Sequence, residues 1–169
     1  MKKRLMILDT SMLVVWLQVP GMEHCDSDGI GFSEVNQRLD EEAKKGTHFI
    51  LPLAVLIETG NHITQVKTNN PKKREVARVF AEWVRTAIGG HSPWILFNDQ
   101  LAIFDDEKLL EMIDEWRENL DSLSIGDISV KRVADHYASD RTEIIIFTCD
   151  QNLRAYSPTV DIPIPRRRR

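Results

Sequence analysis

The sequence predicts an α/β fold, a three-layer α/β/α sandwich around a central, mainly parallel sheet, and three observations carry that prediction. Two short runs, Leu5 to Leu8 and Ile144 to Phe147, are apolar without alternation, as expected of parallel strands covered on both faces. Helix-periodic segments alternate with strand-like ones along the chain, the order produced when helices connect parallel strands. Both apolar runs lead into carboxylates, Asp9 directly and Asp150 after Thr148 and Cys149. The C-terminal ends of parallel strands are where open α/β sheets bind ligands.

The elements follow in order. After the first strand, Thr10 or Ser11 can cap a short helix through Leu17 that stops at Pro20-Gly21. Residues 21–32 are polar and glycine-rich and read as a surface loop. Ser33 is the expected N-cap of a helix over 33–45, with Val35, Leu39 and Ala43 on its apolar side and Gly46 as its stop. A short strand follows at 47–51. Pro52 suits the first turn of a helix to about 67, with Leu53, Leu56, Ile57 and Ile63 as its apolar stripe. Asn70-Pro71 opens another helix, in which Val76, Val79, Phe80, Trp83 and Ala87 trace one face up to Gly89-Gly90. Residues 94–97 are expected as a strand. Asp105-Asp106 begins a helix with Leu109, Leu110, Met112, Ile113, Trp116 and Leu120 facing inward, and another opens at Asp127 and runs to about 139. The last strand is expected at 143–148.

The 169 residues, 42% hydrophobic and 28% charged, suit one domain, given a typical size of about 100–150 residues. We expect that domain over 1–163 and a mobile basic tail over 164–169, ending in Arg166 to Arg169. The formal charge of −4 excludes a uniformly basic coat protein without excluding a nucleic-acid substrate, because a summed charge is silent on local patches. Two cysteines, Cys25 in the polar loop and Cys149 in the last strand, imply no disulfide framework and fit a reducing cytoplasm. Asp9 interrupts the apolar stretch behind Lys2-Lys3-Arg4, and no run reaches the roughly 18 apolar residues of a membrane span. A soluble, cytoplasmic protein is expected.

Two further acids join Asp9 and Asp150. Glu58 lies off the apolar stripe of its helix, with Asn61 one turn on and able to hold its carboxylate or a substrate phosphate. Asp127 stands where a carboxylate accepts free helix amides. Taken singly, each acid has a plain structural reading, as a strand end, a solvated helix face or a cap. Four in this order point further. LMILDTSML resembles the first motif of the PIN-domain ribonucleases, PLAVLIETGNHI the second, SIGDISVKRVADHYA the third and IIIFTCDQNL, with Thr148 two residues before Asp150, the fourth.

The resemblance implies a PIN-like fold that binds Mg²⁺ or Mn²⁺ through these acids and cuts RNA endonucleolytically. In many bacterial members it implies a toxin paired with a small antitoxin, and it suggests a homodimer. The polar loop at 21–32 and the long stretch between Glu58 and Asp127 depart from a minimal toxin of the family. Clustered carboxylates repel and must take up protons or cations, and oxygen donors without His or Cys spacing favour Mg²⁺ or Mn²⁺ over Zn²⁺. On this reading Asp9 and Asp150 hold the principal ion, Asp127 binds it or a second one, and Glu58 orients or deprotonates the attacking water. Ser11, Asn61 and Thr148 support them through hydrogen bonds.

Lys72, Lys73, Arg74 and Arg78 give the fourth helix a basic side on which RNA phosphates can dock. Two alternatives stay open. One is a PIN-like scaffold that binds RNA or protein without cutting. The other is a haloacid-dehalogenase-like phosphatase with Asp9 as nucleophile, against which stands Ser11, where that family places a second Asp.

Overall fold

A computed structural model describes residues 2–25, 29–67, 69–95, 101–139 and 141–156. Among them are three strands and seven helices: β1 (Lys3–Leu8), α1 (Thr10–Trp16), α2 (Phe32–Lys44), β2 (His48–Ile50), α3 (Leu53–Gln65), α4 (Lys72–Ile88), α5 (Asp106–Glu118), α6 (Ile125–Tyr137), β3 (Thr142–Phe147) and α7 (Gln151–Arg154). The architecture is mixed α/β with a small, all-parallel sheet, compatible with an α/β/α layout.

The strand order is β2-β1-β3, with Ile7 of β1 opposite both Ile50 and Ile146. Leu5 to Leu8 are fully buried, as a central strand with helices packed over it requires. In β3, Ile144 to Phe147 are only partly buried. The expectation of cover on both faces fails there because β3 is an edge strand of the described sheet. The strand expected at 94–97 reduces to a single parallel bridge between Trp94 and Phe49; residues 96 and 97 lie outside the described residues, as does the tail.

Several helices start or face differently from expectation. α2 begins one residue early, at Phe32, because the Glu34 carboxylate accepts the Gly31 amide at 3.1 Å and closes the first turn. On its inner side Val35 and Leu39 are joined by Glu42, whereas Ala43 is exposed. Glu42 is fully buried, yet it accepts from Thr47 Oγ1 at 2.7 Å and pairs with Lys45, Arg4 and Arg38 at 2.9, 3.1 and 3.3 Å. A buried carboxylate is tolerable only with such neutralising partners. Arg4 also reaches Glu143 at 2.6 Å, so this cluster ties β1 to both α2 and β3. In α3 the buried stripe is Val55, Thr59 and Ile63, while Ile57 is 54% exposed.

α6 is capped by Ser124, with Asp127 three residues on. Ser124 Oγ accepts the Asp127 amide at 3.1 Å and the Asp127 carboxylate accepts the Ser124 amide at 2.7 Å, a reciprocal capping box. Asp127 therefore closes the first turn of a helix that Ser124 opens. Of the residues expected to face inward from α5, Met112 is buried and Trp116 partly so, whereas Leu109, Leu110, Ile113 and Leu120 are exposed. α5 is joined to α6 on another side, where Glu115 pairs with Lys131 and Arg132, and Glu111 with Arg132.

The cysteine expectation is also corrected: Cys25 and Cys149 form a disulfide with a Cα–Cα distance of 6.0 Å. It ties the polar loop to the chain just beyond β3 and removes the cysteine-based argument for a reducing compartment. Among the described residues no helix is long and apolar enough to cross a membrane.

Candidate active site

The site is built where β1 and β3 end side by side. The Asp9 amide donates to Phe147 O at 3.1 Å, so the ladder between the two strands extends to the first acid. Asp9 is 8% exposed and caps α1. Its Oδ2 accepts from Ser11 Oγ at 2.6 Å, from Thr148 Oγ1 at 2.8 Å and, more weakly, from the Ser11 amide at 3.4 Å. All three donors converge on one carboxylate oxygen. They fix the orientation of the group and leave Oδ1 outside these bonds.

The two hydroxyls also face the other strand's end. Ser11 Oγ accepts the Cys149 amide at 2.9 Å and Thr148 Oγ1 accepts the Asp150 amide at 3.0 Å. Each hydroxyl donates to Asp9 and accepts from the 149–150 backbone, so the ends of β1 and β3 are held in register by side chains. Asp150 accepts the Leu153 amide on Oδ1 at 2.8 Å and caps the short helix α7.

Glu58 enters through the residue after Asp9. Thr10 Oγ1 donates to Glu58 Oε2 at 2.8 Å, and His62 Nε2 lies 3.9 Å from Glu58 Oε1. Asn61, expected to hold Glu58 or a substrate phosphate, is exposed, and the hydroxyl that donates to Glu58 is that of Thr10. Gly126, at the start of α6, lies beside Glu58. A Cβ there would stand 3.4 Å from Glu58 Oε2 and 3.4 Å from Ser124 Oγ. Asp127 is the next residue, and its Oδ2 is turned back to the Ser124 amide and hydroxyl, both at 2.7 Å.

The Thr148 hydroxyl thus joins the Asp9 carboxylate to the backbone of Asp150, and Thr10 holds Glu58, while the carboxylates of Asp150 and Asp127 are each engaged in a local helix cap. Among the described residues no three His, Cys, Asp or Glu side chains converge as a ready set of metal ligands. The donors present are carboxylate and hydroxyl oxygens, the hard ligands that Mg²⁺ and Mn²⁺ take.

An open cleft of about 450 Å³ is lined by Ser11, Asp150, Cys149, Cys25, His24 and Met22 among others. The basic residues of α4 do not line it. Lys73 is turned to the C-terminal end of α3, where its ammonium donates to Thr64 O at 2.6 Å and Val66 O at 2.7 Å. This caps carbonyls that the helix leaves unpaired, so Lys73 has a structural role at the end of α3. Lys72, Arg74 and Arg78 are exposed.

Sequence reasoning missed Thr10, whose only signal is a hydroxyl beside the first acid, and the cleft wall at 21–25, which no local pattern brings to Asp150. No protein-family model, curated protein or solved structure matches the chain.

Proposed function

We propose that the chain is a divalent-metal-dependent endoribonuclease of the PIN type. The observation that supports this reading is that Asp9 and Asp150 follow the ends of adjacent parallel strands, where the Thr148 hydroxyl joins the Asp9 carboxylate to the Asp150 backbone, with Glu58 held by Thr10. Asp9, Asp150 and Asp127 would hold Mg²⁺ or Mn²⁺, which when bound supplies charge stabilisation for the phosphodiester and acidifies water. Glu58, more exposed than Asp9 and anchored on one oxygen, accepts a proton from the water that attacks phosphorus. The phosphorus–oxygen bond to the leaving nucleotide breaks as the new one forms. Ser11 and Thr148 keep the Asp9 carboxylate in one orientation throughout, so no reorganisation is needed at the reacting centre.

RNA is the substrate on this reading. A small antitoxin protein and a second copy of the chain are the partners the family resemblance suggests, and the cytoplasm is the compartment. Cleavage of mixed RNAs in Mg²⁺ or Mn²⁺, abolished by chelator and by Asp9→Asn and by Asp150→Asn, is the expected result. RNA left intact by the wild-type protein, once a co-purifying inhibitor is excluded, overturns the reading.

A second reading has one observation in its favour. Asp127 and Asp150 each serve a local helix cap, as they would in a PIN-like scaffold that binds RNA or protein without cutting it. Metal binding without turnover separates that scaffold from the enzyme. The phosphatase alternative is weaker, because Ser11 stands where that family places a second Asp.

A further inference from the structure

The loop at 21–31 has a role beyond connecting α1 to α2. Its described residues form a small hairpin: His24 pairs with Gly31, the Cys25 amide donates to Ile30 O at 2.8 Å and the Gly29 amide to Cys25 O at 2.8 Å. The Met22 amide donates to Val19 O at 2.9 Å. The exposed His24 ring is braced against the bare backbone of Gly31, where a Cβ would stand 3.2 Å from the ring. The bridge from Cys25 to Cys149 clamps this hairpin next to Asp150, and the Cys149 amide is itself held by Ser11 Oγ. Met22, His24 and Cys25 thereby line the same cleft as Ser11 and Asp150.

We propose, resting on the ribonuclease reading, that residues 21–25 are the substrate wall of this cleft, that His24 stacks on an RNA base there, and that the Cys25–Cys149 bridge is a redox latch holding the wall in place. The volume of about 450 Å³ falls in the ~300–1,000 Å³ range of small-ligand sites, and it combines the apolar Met22 with an aromatic ring and a hydroxyl. Single-stranded RNA is recognised by such aromatic stacking. A dithiol opens the latch by thiol–disulfide exchange: one thiolate attacks a cysteine sulfur and breaks the bridge, and the second closes the reagent into its own disulfide. Two electrons and two protons pass to Cys25 and Cys149. The wall then loses its covalent tie to the chain beside Asp150 and keeps its hydrogen bonds to Val19 and within the hairpin.

The test compares the purified protein before and after dithiothreitol, and again after reoxidation. Thiol counting with a chromogenic disulfide is expected to find no free thiol before reduction and two after. Hydrogen exchange at the Cys25 and Gly29 amides is expected to accelerate on reduction. KM for a short single-stranded RNA is expected to rise several-fold while kcat changes less than about twofold, the pattern of lost binding rather than lost chemistry. His24→Ala reproduces the KM change with the bridge intact. Two free thiols before reduction, or an unchanged exchange rate and KM after it, overturn the proposal. If RNA is cut in neither state, the ribonuclease reading fails separately, and affinity for the same RNA by fluorescence anisotropy replaces KM. Loss of affinity on reduction and in His24→Ala supports the wall and latch, and equal affinity in all states overturns them.

Discussion

Thr148 donates its hydroxyl to Asp9 at 2.8 Å across 139 residues of sequence. That bond joins the first of the four candidate acids to the strand end that leads into the fourth. A buried hydrogen bond to a charged group contributes about 1.5–3 kcal/mol, and Thr148 is 2% exposed. Thr148→Val is expected to lose about that much stability in denaturant unfolding and to lower RNA cleavage. Thr148→Ser keeps the hydroxyl and is expected to recover most of both. A valine variant as stable and active as wild type counts against the role given to this bond.

The Thr10 hydroxyl donates to Glu58 at 2.8 Å. Thr10→Val frees the Glu58 carboxylate to leave its position, and a loss of about 1.4 kcal/mol in the transition state corresponds to about tenfold in rate. Cleavage kinetics should therefore show kcat falling by roughly that factor with KM little changed, and Thr10→Ser should restore it. Equal losses in the serine and valine variants would point to packing instead.

Glu42 sets an acid limit on folding. Burial pushes its carboxyl pKa up, but hydrogen bonds from Thr47, Lys45 and Arg4, with the charge of Arg38, outweigh burial and lower it from 4.5 to about 2. A carboxyl lowered on folding contributes stability that is present above the unfolded value and lost as pH falls through the folded one. Wild-type stability should thus decline between pH 4.5 and about 2, and Glu42→Gln should flatten that decline. The same variant should be less stable than wild type at pH 7, because Arg4, Arg38 and Lys45 lose the carboxylate they share. Urea unfolding across pH 2–7 measures both.

Lys73 and its neighbours on α4 should separate cleanly. Lys73→Gln removes the donor to Thr64 O and Val66 O, so about 1 kcal/mol of stability should go while the salt dependence of RNA binding stays. Arg74→Gln and Arg78→Gln should leave stability near wild type and reduce the slope of log affinity against log salt by about 1 each. An unchanged slope in the arginine variants would remove α4 from the RNA path.

The legible parts of this chain are those decided locally. Leu5 to Leu8 reads as a central strand because nothing polar interrupts it, and Pro52 and Gly46 mark helix boundaries through fixed backbone preferences. Ser124 was legible too, since Ser-Ile-Gly-Asp spells a capping box; reading Asp127 as the helix opener passed over the hydroxyl three residues earlier. The face of α5 had the right period, but periodicity does not say what covers an apolar face, and Leu110 and Leu120 remain exposed. Glu42 stands at an inner position beside Leu39, and its burial depends on Arg4 from another element. The Cys25–Cys149 bridge joins residues 124 apart, a pairing fixed only when β3 reaches the sheet. Asp9 and Asp150 were legible as strand ends; the hydroxyl relay between them was not, because it depends on side-chain geometry.

Titration of the protein with Mn²⁺, followed by the loss of the free-ion electron paramagnetic resonance signal, addresses the carboxylate site without requiring that the right RNA be found. The account predicts saturable binding to the wild-type protein, competed by Mg²⁺ and lost in Asp9→Asn and in Asp150→Asn while both variants stay folded by circular dichroism. Binding that persists undiminished in both variants, or no binding by the wild type, would contradict it.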